Sequence, residues 1–417
     1  MTTHRGVIRN TGEAVKVTPL ELFFDLVFVY AFTQVTALLA TDVSMRGLAR
    51  GLVVLALVWW CWVGYSWLGN VAAADEGLTR IAFFGVMVAM FVMALTIPES
   101  FDDLPGGLQG PFVFAACYFV VRAVHAGFFL LAARGDPVLR AQVLRFTGVM
   151  VVSTGLLLAG AAAPVEWQLA IWAAALLTDL GGTLAIGHSG WRLPAAAHFT
   201  ERHGLIVIIA LGESIVAIGV GATDLPISWA LAFASAIGIA LAAALWWIYF
   251  DVIALVAEEA LLRTQGAERN RLARGAFSYL HLPMIAGIVI AALGMKKTFE
   301  YVGGAEGHTW TDSLHGVGAY ALPLGVALYL ASQVAFRRRI GKPLSWPLVV
   351  TVAAVAAVGS VGSLVPVTVA LGLVTLVALG LVAYETVTHL EARDALRHGH
   401  HDGAGSAGAA QEGTAAR

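Results

Sequence analysis

Residues 20–41 read LELFFDLVFVYAFTQVTALLAT, an almost continuous apolar run in which only Glu21 and Asp25 carry charge. A run of this length can cross a hydrocarbon core about 30 Å thick as one α-helix. Similar runs recur along the chain, where 59% of the residues are hydrophobic, 12% are charged and the mean hydropathy is +0.80. A soluble chain carries about 25% charged residues, and one of 417 residues could not hide so much apolar surface from water. The sequence therefore predicts an all-α, multi-pass integral membrane protein whose main partner is the lipid bilayer.

Proline residues punctuate the apolar runs at intervals, which predicts about twelve transmembrane helices. We expect them at residues 20–41, 47–69, 81–97, 111–133, 143–163, 166–187, 203–221, 228–256, 274–295, 314–336, 346–364 and 366–387. Residues 1–19 form a polar N-terminal arm. Residues 388–417 are rich in Gly, Ala and His without apolar periodicity, which predicts a disordered tail.

The positive charges predict how the helices are oriented. If the N-terminus is cytoplasmic, 20 of the 25 Lys and Arg residues fall in cytoplasmic segments, four fall in outer segments, and Arg122 lies inside a helix. Cytoplasmic loops of membrane proteins carry the excess of Lys and Arg. We therefore expect both termini in the cytoplasm and the protein in a bacterial cytoplasmic membrane. The net charge of −2 gives no reason to expect a nucleic-acid partner.

Three landmarks recur in the same order in both halves of the chain: a glutamate, a tryptophan pair, and an arginine followed three residues later by phenylalanine. They are Glu21, Trp59–Trp60 and Arg80 in the first half, and Glu201, Trp246–Trp247 and Arg274 in the second. Because each half has an even number of helices, the halves would be parallel. We predict two parallel six-helix repeats, residues 20–187 and 203–387, joined by a cytoplasmic linker, residues 188–202.

Polar groups inside the apolar runs are the candidate functional residues, because a charge in hydrocarbon costs on the order of 3 kcal/mol or more. Such groups pair with one another or line a wet path. The candidates for an ion, proton or substrate path are Glu21, Asp25, Glu213, Ser214, Asp251 and His281.

Glu213 is the most informative candidate. If its helix begins near His203, Glu213 lies about 15 Å deep, close to the centre of the bilayer. A carboxyl group at that depth suits proton relay or cation binding. The alternative is a protonated Glu213 that only hydrogen-bonds to another helix. Asp25 is likewise either functional or a structural partner of Arg80 or Arg202.

Arg122 needs an anionic partner, because arginine cannot lose its proton inside a membrane. Asp179, on the sixth predicted helix, is the expected partner, and a structural ion pair between the two is the favoured interpretation. Cys61 and Cys117 lie in apolar runs and are interpreted as packing residues. The histidines do not have metal-binding spacing, and no nucleotide motif is present, so no cofactor is predicted.

The run Pro19-Leu20-Glu21-Leu22-Phe23-Phe24-Asp25-Leu26-Val27-Phe28-Val29, with Glu201-Arg202-His203-Gly204-Leu205 and Leu211-Gly212-Glu213-Ser214, resembles the bacterial low temperature requirement A family. The resemblance covers nearly all of the chain. It implies a membrane fold and a link to growth in the cold, without a defined reaction or substrate.

The first helix is also similar to that of lysosomal and bacterial potassium channels with a Phe-Ser-Asp signature. Those channels have two parallel six-helix repeats, and the first helix of each repeat lines the pore. Here Phe24 replaces the serine, and Leu205 stands opposite Asp25 in the second half. The similarity therefore implies a shared architecture more directly than a channel.

Three functions are compatible with these residues. The leading hypothesis is a transporter or channel-like permease for a small solute or ion, with Asp25 and Glu213 on a path between the first and seventh helices. The second is a membrane-embedded enzyme that uses Glu213, His281 and Asp251 as acid and base groups on a lipophilic substrate. The third is a structural or regulatory membrane protein whose charges only lock helices together.

Overall fold

Apolar helices account for almost all of the structure, a computed structural model that describes residues 17–71, 77–187, 191–223 and 225–388. Most of the predicted N-terminal arm and the tail beyond residue 388 lie outside these ranges. The helices are α1 (Pro19–Thr41), α2 (Met45–Gly69), α3 (Gly77–Leu95), α4 (Gly110–Ala132), α5 (Pro137–Ala162), α6 (Val165–Ile186), α7 (Ala196–Gly221), α8 (Trp229–Phe250), α9 (Ile253–Arg263), α10 (Gly266–Leu272), α11 (His281–Val302), α12 (Gly316–Arg339), α13 (Trp346–Val361) and α14 (Val367–Thr388). A π-helix, Ala273–Tyr279, joins α10 to α11, and a short 3₁₀ turn, Ala305–Gly307, follows α11.

Ten helical segments within the described ranges are long and apolar enough to cross a membrane, if α8–α9 and α10–α11 each count as one segment. Two further apolar helices, Thr79–Leu95 within α3 and Trp346–Val361, are shorter. They occupy the positions of the third and eleventh predicted spans. The all-α, multi-pass prediction is confirmed, whereas the count of twelve spans and the two parallel repeats stay predictions.

The start of α1 follows from its first residues. Thr18 accepts a hydrogen bond from the backbone N–H of Glu21, and the Glu21 carboxylate accepts one from the backbone N–H of Thr18. This reciprocal capping box satisfies two amide groups that a helix N-terminus otherwise leaves free. Pro19 occupies the first turn, where no backbone N–H is needed.

The start of α7 differs from the prediction. The helix begins at Ala196 instead of residue 203, so the second part of the predicted 188–202 linker is helical. The extra two turns form because His198 and Arg202 point into the core and meet acidic side chains of α1. A segment that looked like a polar loop is thereby part of the buried bundle.

α11 lies at the centre of the bundle, where it packs against α12, α7 and α1. The contact with α12 is close because glycines face each other across it. A Cβ added at Gly294 would lie 2.2 Å from the backbone nitrogen of Leu322, and one at Gly325 would lie 2.4 Å from that of Ala291. Small residues of this kind let transmembrane helices approach backbone to backbone.

Candidate functional site

The contact between α1 and α7 joins the two predicted halves and carries three of the candidate residues, Glu21, Asp25 and Glu213, and Ser214 follows Glu213 on α7. All four are buried, with at most 3% of each residue exposed. These ionisable groups therefore face protein, at a contact between two helices.

One end of this contact is closed by a group of four ionisable residues, here called the Arg202 cluster: Glu21, Asp25, His198 and Arg202. The Arg202 guanidinium is fully buried, with Nη2 2.5 Å from Asp25 Oδ1 and Nη1 3.3 Å from Glu21 Oε1. His198 Nε2 lies 3.0 Å from Glu21 Oε2. Trp62 Nε1–H donates to Asp25 Oδ1 over 2.9 Å. Each carboxylate thus contacts Arg202, so α7 supplies the positive charge that pairs with the two acidic side chains of α1.

The Arg202 cluster also contains polar atoms that lack a hydrogen-bond partner among the described residues. They are Asp25 Oδ2 and Arg202 Nε, together with Nδ1 of His198 and Nε2 of the neighbouring His203. Buried polar atoms are nearly always satisfied by protein or by internal water. The carboxylate of Asp25 therefore has spare acceptor capacity on one oxygen.

Glu213 lies further along the same contact and has different surroundings. Its Oε2 accepts a hydrogen bond from Thr33 Oγ1 of α1 over 2.7 Å, and Thr36 lies nearby. Within the described residues Glu213 belongs to no salt bridge, although it interacts electrostatically with Lys296 of α11 at longer range. Ser214 is buried, and its hydroxyl has no hydrogen-bond partner in the described part of the chain.

The position of Glu213 along α7 differs from the expected position. Because α7 begins at Ala196, Glu213 lies 17 residues from its start and eight residues from its end at Gly221. At 1.5 Å per residue, this places Glu213 about 7 Å beyond the midpoint of α7, towards its C-terminal end. The predicted central position was based on a helix that began seven residues later.

Arg122 and Asp179 meet inside the first half of the chain. Arg122 Nη2 lies 3.2 Å from Asp179 Oδ1, and both side chains are almost fully buried. Tyr118 donates a hydrogen bond to the other carboxylate oxygen, and Ser153 donates one over 3.0 Å. The guanidinium also stacks on Phe146, with 5.0 Å between Arg122 Cζ and the ring centroid. The predicted pair is brought together, and its carboxylate is fully engaged.

A small cavity of about 50 Å³ adjoins this pair. Its walls include Arg122, His125 and Arg274 as well as the rings of Trp60 and Trp191. A cavity of this size holds a few water molecules at most. In this conformation it is too small for a drug-sized solute.

His281 of α11 packs against α7, with its ring centroid 5.2 Å from that of His203, whereas Asp251 lies at the end of α8. His281 is fully buried, with Nε2 2.9 Å from Tyr249 Oη and Nδ1 3.1 Å from the carbonyl oxygen of Ala276. Asp251 follows the end of α8 and lines a cavity of about 580 Å³. Within the described residues, the hydrogen-bond partners of His281 differ from those of Glu213.

The separation of Glu213 from His281 argues against an acid–base pocket that the two residues share. Glu213 is near Lys296, which lies 15 residues beyond His281 on α11, or about 22 Å along the helix. General acid–base partners must reach one substrate within hydrogen-bond distance. No group of three His, Cys, Asp or Glu side chains that could hold a metal ion occurs in the described residues. Both cysteines, Cys61 and Cys117, are free thiols.

Sequence reasoning missed His198 and treated Arg202 as a loop charge. The signal was present, since His198 and Arg202 are four residues apart and would share one face of a helix. It was not used because the helix was expected to begin at residue 203.

Comparison with known proteins assigns this all-helical chain to a family. The family model described as bacterial low temperature requirement A protein matches residues 16–383. The chain belongs to this family. The chain is also similar to an uncharacterized protein from Rhizobium meliloti (strain 1021), with 29% identity over 352 residues, which cover 81% of this chain and 80% of that protein. No solved structure matches the chain.

Proposed function

We propose that this low temperature requirement A protein is a transporter or channel-like permease for a small solute or ion. The observation that carries the proposal is Glu213, a buried carboxyl group at the contact between α1 and α7 that meets hydroxyl groups without a salt-bridge partner among the described residues. A carboxyl group held this way can bind and release a proton or a cation, because a hydrogen bond from a hydroxyl group does not fix its ionisation state as a salt bridge would. The proposed path follows α1 and α7, past Glu213 to Asp25.

The Arg202 cluster would close one end of this path. It links α1 to α7 through Arg202, with Asp25 and Glu21 as the acidic partners. Passage of a solute requires these side chains to rearrange. Oδ2 of Asp25, which has no hydrogen-bond partner among the described residues, is the acceptor that would face the solute. We propose that the cluster lies on the cytoplasmic side of a bacterial cytoplasmic membrane, because the positive charges of the loops are concentrated at this end.

A structural or regulatory role is the second candidate, because a specific observation favours it. In the Arg122–Asp179 pair and in the Arg202 cluster, each charged side chain contacts an opposite charge, as expected for groups that only lock helices together. Glu213 is the exception that distinguishes the two functions. The enzyme hypothesis has less support, since two of its proposed acid–base groups, Glu213 and His281, are far apart.

Flux measurements test the proposal. The full chain would be reconstituted into proteoliposomes and offered a panel of monovalent cations and small metabolites, with and without a pH gradient. We expect uptake above that of protein-free liposomes, with a rate that changes with pH. Absence of flux for every solute, in vesicles whose protein is shown to be folded and inserted, would favour the structural role.

A further inference from the structure

Glu213 has weaker hydrogen-bonding surroundings than the other buried carboxyl groups of the bundle. Glu21 and Asp25 accept from the guanidinium of Arg202, and Asp179 accepts from an arginine of its own. Each of these three groups also accepts from at least one further N–H or O–H group. Within the described part of the chain, the hydrogen-bonding neighbours of Glu213 are hydroxyl groups of α1. A buried carboxylate needs strong donors, because burial removes the water that would otherwise solvate its charge.

The hydroxyl group of Thr33 lies between two oxygen atoms but has a single hydrogen. Its Oγ1 is 2.7 Å from Glu213 Oε2 and 3.1 Å from the carbonyl oxygen of Val29. A backbone carbonyl can only accept a hydrogen bond, and so can an ionised carboxylate. With an ionised Glu213, one of the two contacts would therefore bring two oxygens together without a hydrogen between them. With a neutral Glu213, Oε2–H donates to Thr33 and Thr33 donates to Val29, so both contacts are satisfied.

The hydrogen of Thr36 is also used within α1. Its Oγ1 donates to the carbonyl oxygen of Phe32 over 3.1 Å, although the side chain lies near Glu213. The hydroxyl of Ser214 has no hydrogen-bond partner among the described residues, so it does not donate to Glu213 either. The surroundings of Glu213 thus offer oxygen lone pairs and lack a free O–H. This arrangement fits a neutral carboxylic acid, which is itself a donor.

We propose that the ion bound by Glu213 is a proton, and that Glu213 is a neutral carboxylic acid in this conformation. The inference rests on the proposed function and narrows the ligand of its central site from a proton or a cation to a proton. A metal cation would bind the ionised form and would need several oxygen ligands. Release of the proton breaks the Oε2–H bond, leaves the electron pair on Glu213 and passes the proton to water on the path.

Lys296 of α11 is the charged group that the ionised form would meet. It is the one charged residue of the described ranges that interacts electrostatically with Glu213. On α1, Asp25 lies eight residues before Thr33, about 12 Å along the helix. Within Trp229–Phe250, α8 carries no Asp, Glu, Lys, Arg or His. After release of the proton, the carboxylate is therefore attracted towards α11, which links the proton to the contact between α7 and α11.

Infrared spectroscopy of the full chain in lipid vesicles tests the inference without a measurement of flux. The carbonyl stretch of a neutral carboxylic acid is separate from the bands of a carboxylate. We expect the difference between wild type and Glu213→Gln at neutral pH to contain this band, and the band to shift in heavy water. Glu166→Gln, at an exposed glutamate in the first turn of α6, is the matched control and should leave the band unchanged. In Lys296→Gln the band should persist to more alkaline pH, because a nearby positive charge favours the carboxylate.

The same spectra contain the results that would overturn the inference. One is the absence of the band at neutral pH in wild-type protein that thermal unfolding shows to be folded. Another is loss of the band when sodium chloride replaces choline chloride at constant pH, which would indicate a metal cation on an ionised Glu213. The proposed function fails separately: vesicles that show the band but carry no flux would contradict transport and still establish the neutral state of Glu213.

Discussion

Arg202 is the buried charge on which the contact between α1 and α7 depends. Its guanidinium is fully buried and bridges Glu21 and Asp25. Breaking a buried ion pair by removal of one partner is far more costly than loss of an exposed pair, because the remaining charge stays buried without compensation. At this position the planar, permanently charged arginine is also not equivalent to lysine.

Arg202→Gln should therefore lower the free energy of unfolding by about 3–5 kcal/mol. Adding Asp25→Asn should recover part of the loss, since one of the two uncompensated carboxylates is removed. Thermal unfolding in detergent measures both effects. Arg192→Gln is the matched control, because Arg192 pairs with Asp136 at the surface and is 75% exposed. Arg192→Gln should lower the free energy of unfolding by no more than about 1 kcal/mol. Equal losses for the two arginines would contradict this role for Arg202.

The Arg122–Asp179 pair gives a second prediction. Arg122→Ala should cost about 3–5 kcal/mol because it leaves the Asp179 carboxylate buried beside Tyr118 and Ser153. The double variant Arg122→Ala with Asp179→Ala should be more stable than the sum of the two single losses predicts. A double-mutant cycle on thermal unfolding measures this coupling. Strictly additive losses would exclude a direct interaction.

These residues also show how far the candidate site could be predicted. Arg122 and Asp179 could be paired from the sequence because both are charges deep within apolar runs, where few partners exist. The Arg202–Asp25 contact was only an alternative, and His198 was not foreseen. The reason is local: α7 begins at Ala196 with no side-chain cap and no proline in its first turn, so the usual signals of a helix start are missing.

Among the helices, α11 and α12 show most clearly what fixes the packing. Gly294 and Gly325 let their backbones approach so closely that no Cβ fits without movement. Gly372 of α14, in contrast, has open space where a Cβ would be. The two kinds of glycine look alike in the sequence, so only the structure assigns them different roles.

Gly294→Ala should destabilise the protein by about 1–3 kcal/mol, because the added methyl group must displace the backbone at Leu322. Gly372→Ala adds the same methyl group in open space and should change the stability little. Unfolding temperatures of the two variants in the same detergent give the comparison. Similar losses at both positions would show that the α11–α12 contact is less tight than described.

The region before α11 shows where element boundaries could not be predicted. The sequence predicted one span from residue 274, whereas the structure has a π-helix, Ala273–Tyr279, followed by α11. Leu280 N–H bonds to the carbonyl oxygen of Gly275, five residues back. Pro283 has no N–H to bond the carbonyl four residues before it, at Tyr279, which favours a local change of helix type there. Pattern and hydropathy predict the existence of a span, but they do not distinguish helix types.

For the whole molecule, the sequence predicted the class of protein well because the length and spacing of apolar runs follow directly from the thickness of a bilayer. The number of spans was harder to predict, since the apolar stretches of α3 and α13 are shorter than those of the other membrane-spanning candidates. The cavity at Asp251 was not predicted at all, because it is formed by the ends of helices that are far apart in sequence.

The orientation of the molecule is open to a direct test. We predict that both termini are cytoplasmic, because 20 of the 25 Lys and Arg residues then lie on the cytoplasmic side. Arg202 is buried and no longer counts as a loop charge, but the cytoplasmic segments still hold most of the Lys and Arg residues. Reporter fusions at residues 10 and 400 should both give cytoplasmic signals. A periplasmic signal at either position would overturn this topology.

The pH dependence of flux in Glu213→Gln proteoliposomes tests the central claim, that Glu213 is an ionisable site on a path between α1 and α7. The glutamine keeps the size of the side chain and can still bond to Thr33, so a merely structural Glu213 would tolerate it. Ile218→Val, a conservative change at a buried apolar position of α7 outside the proposed path, is the control for local packing. We predict that Glu213→Gln folds and inserts normally but loses the flux or its pH dependence, while Ile218→Val keeps both. Unchanged, pH-dependent flux in Glu213→Gln would contradict the claim.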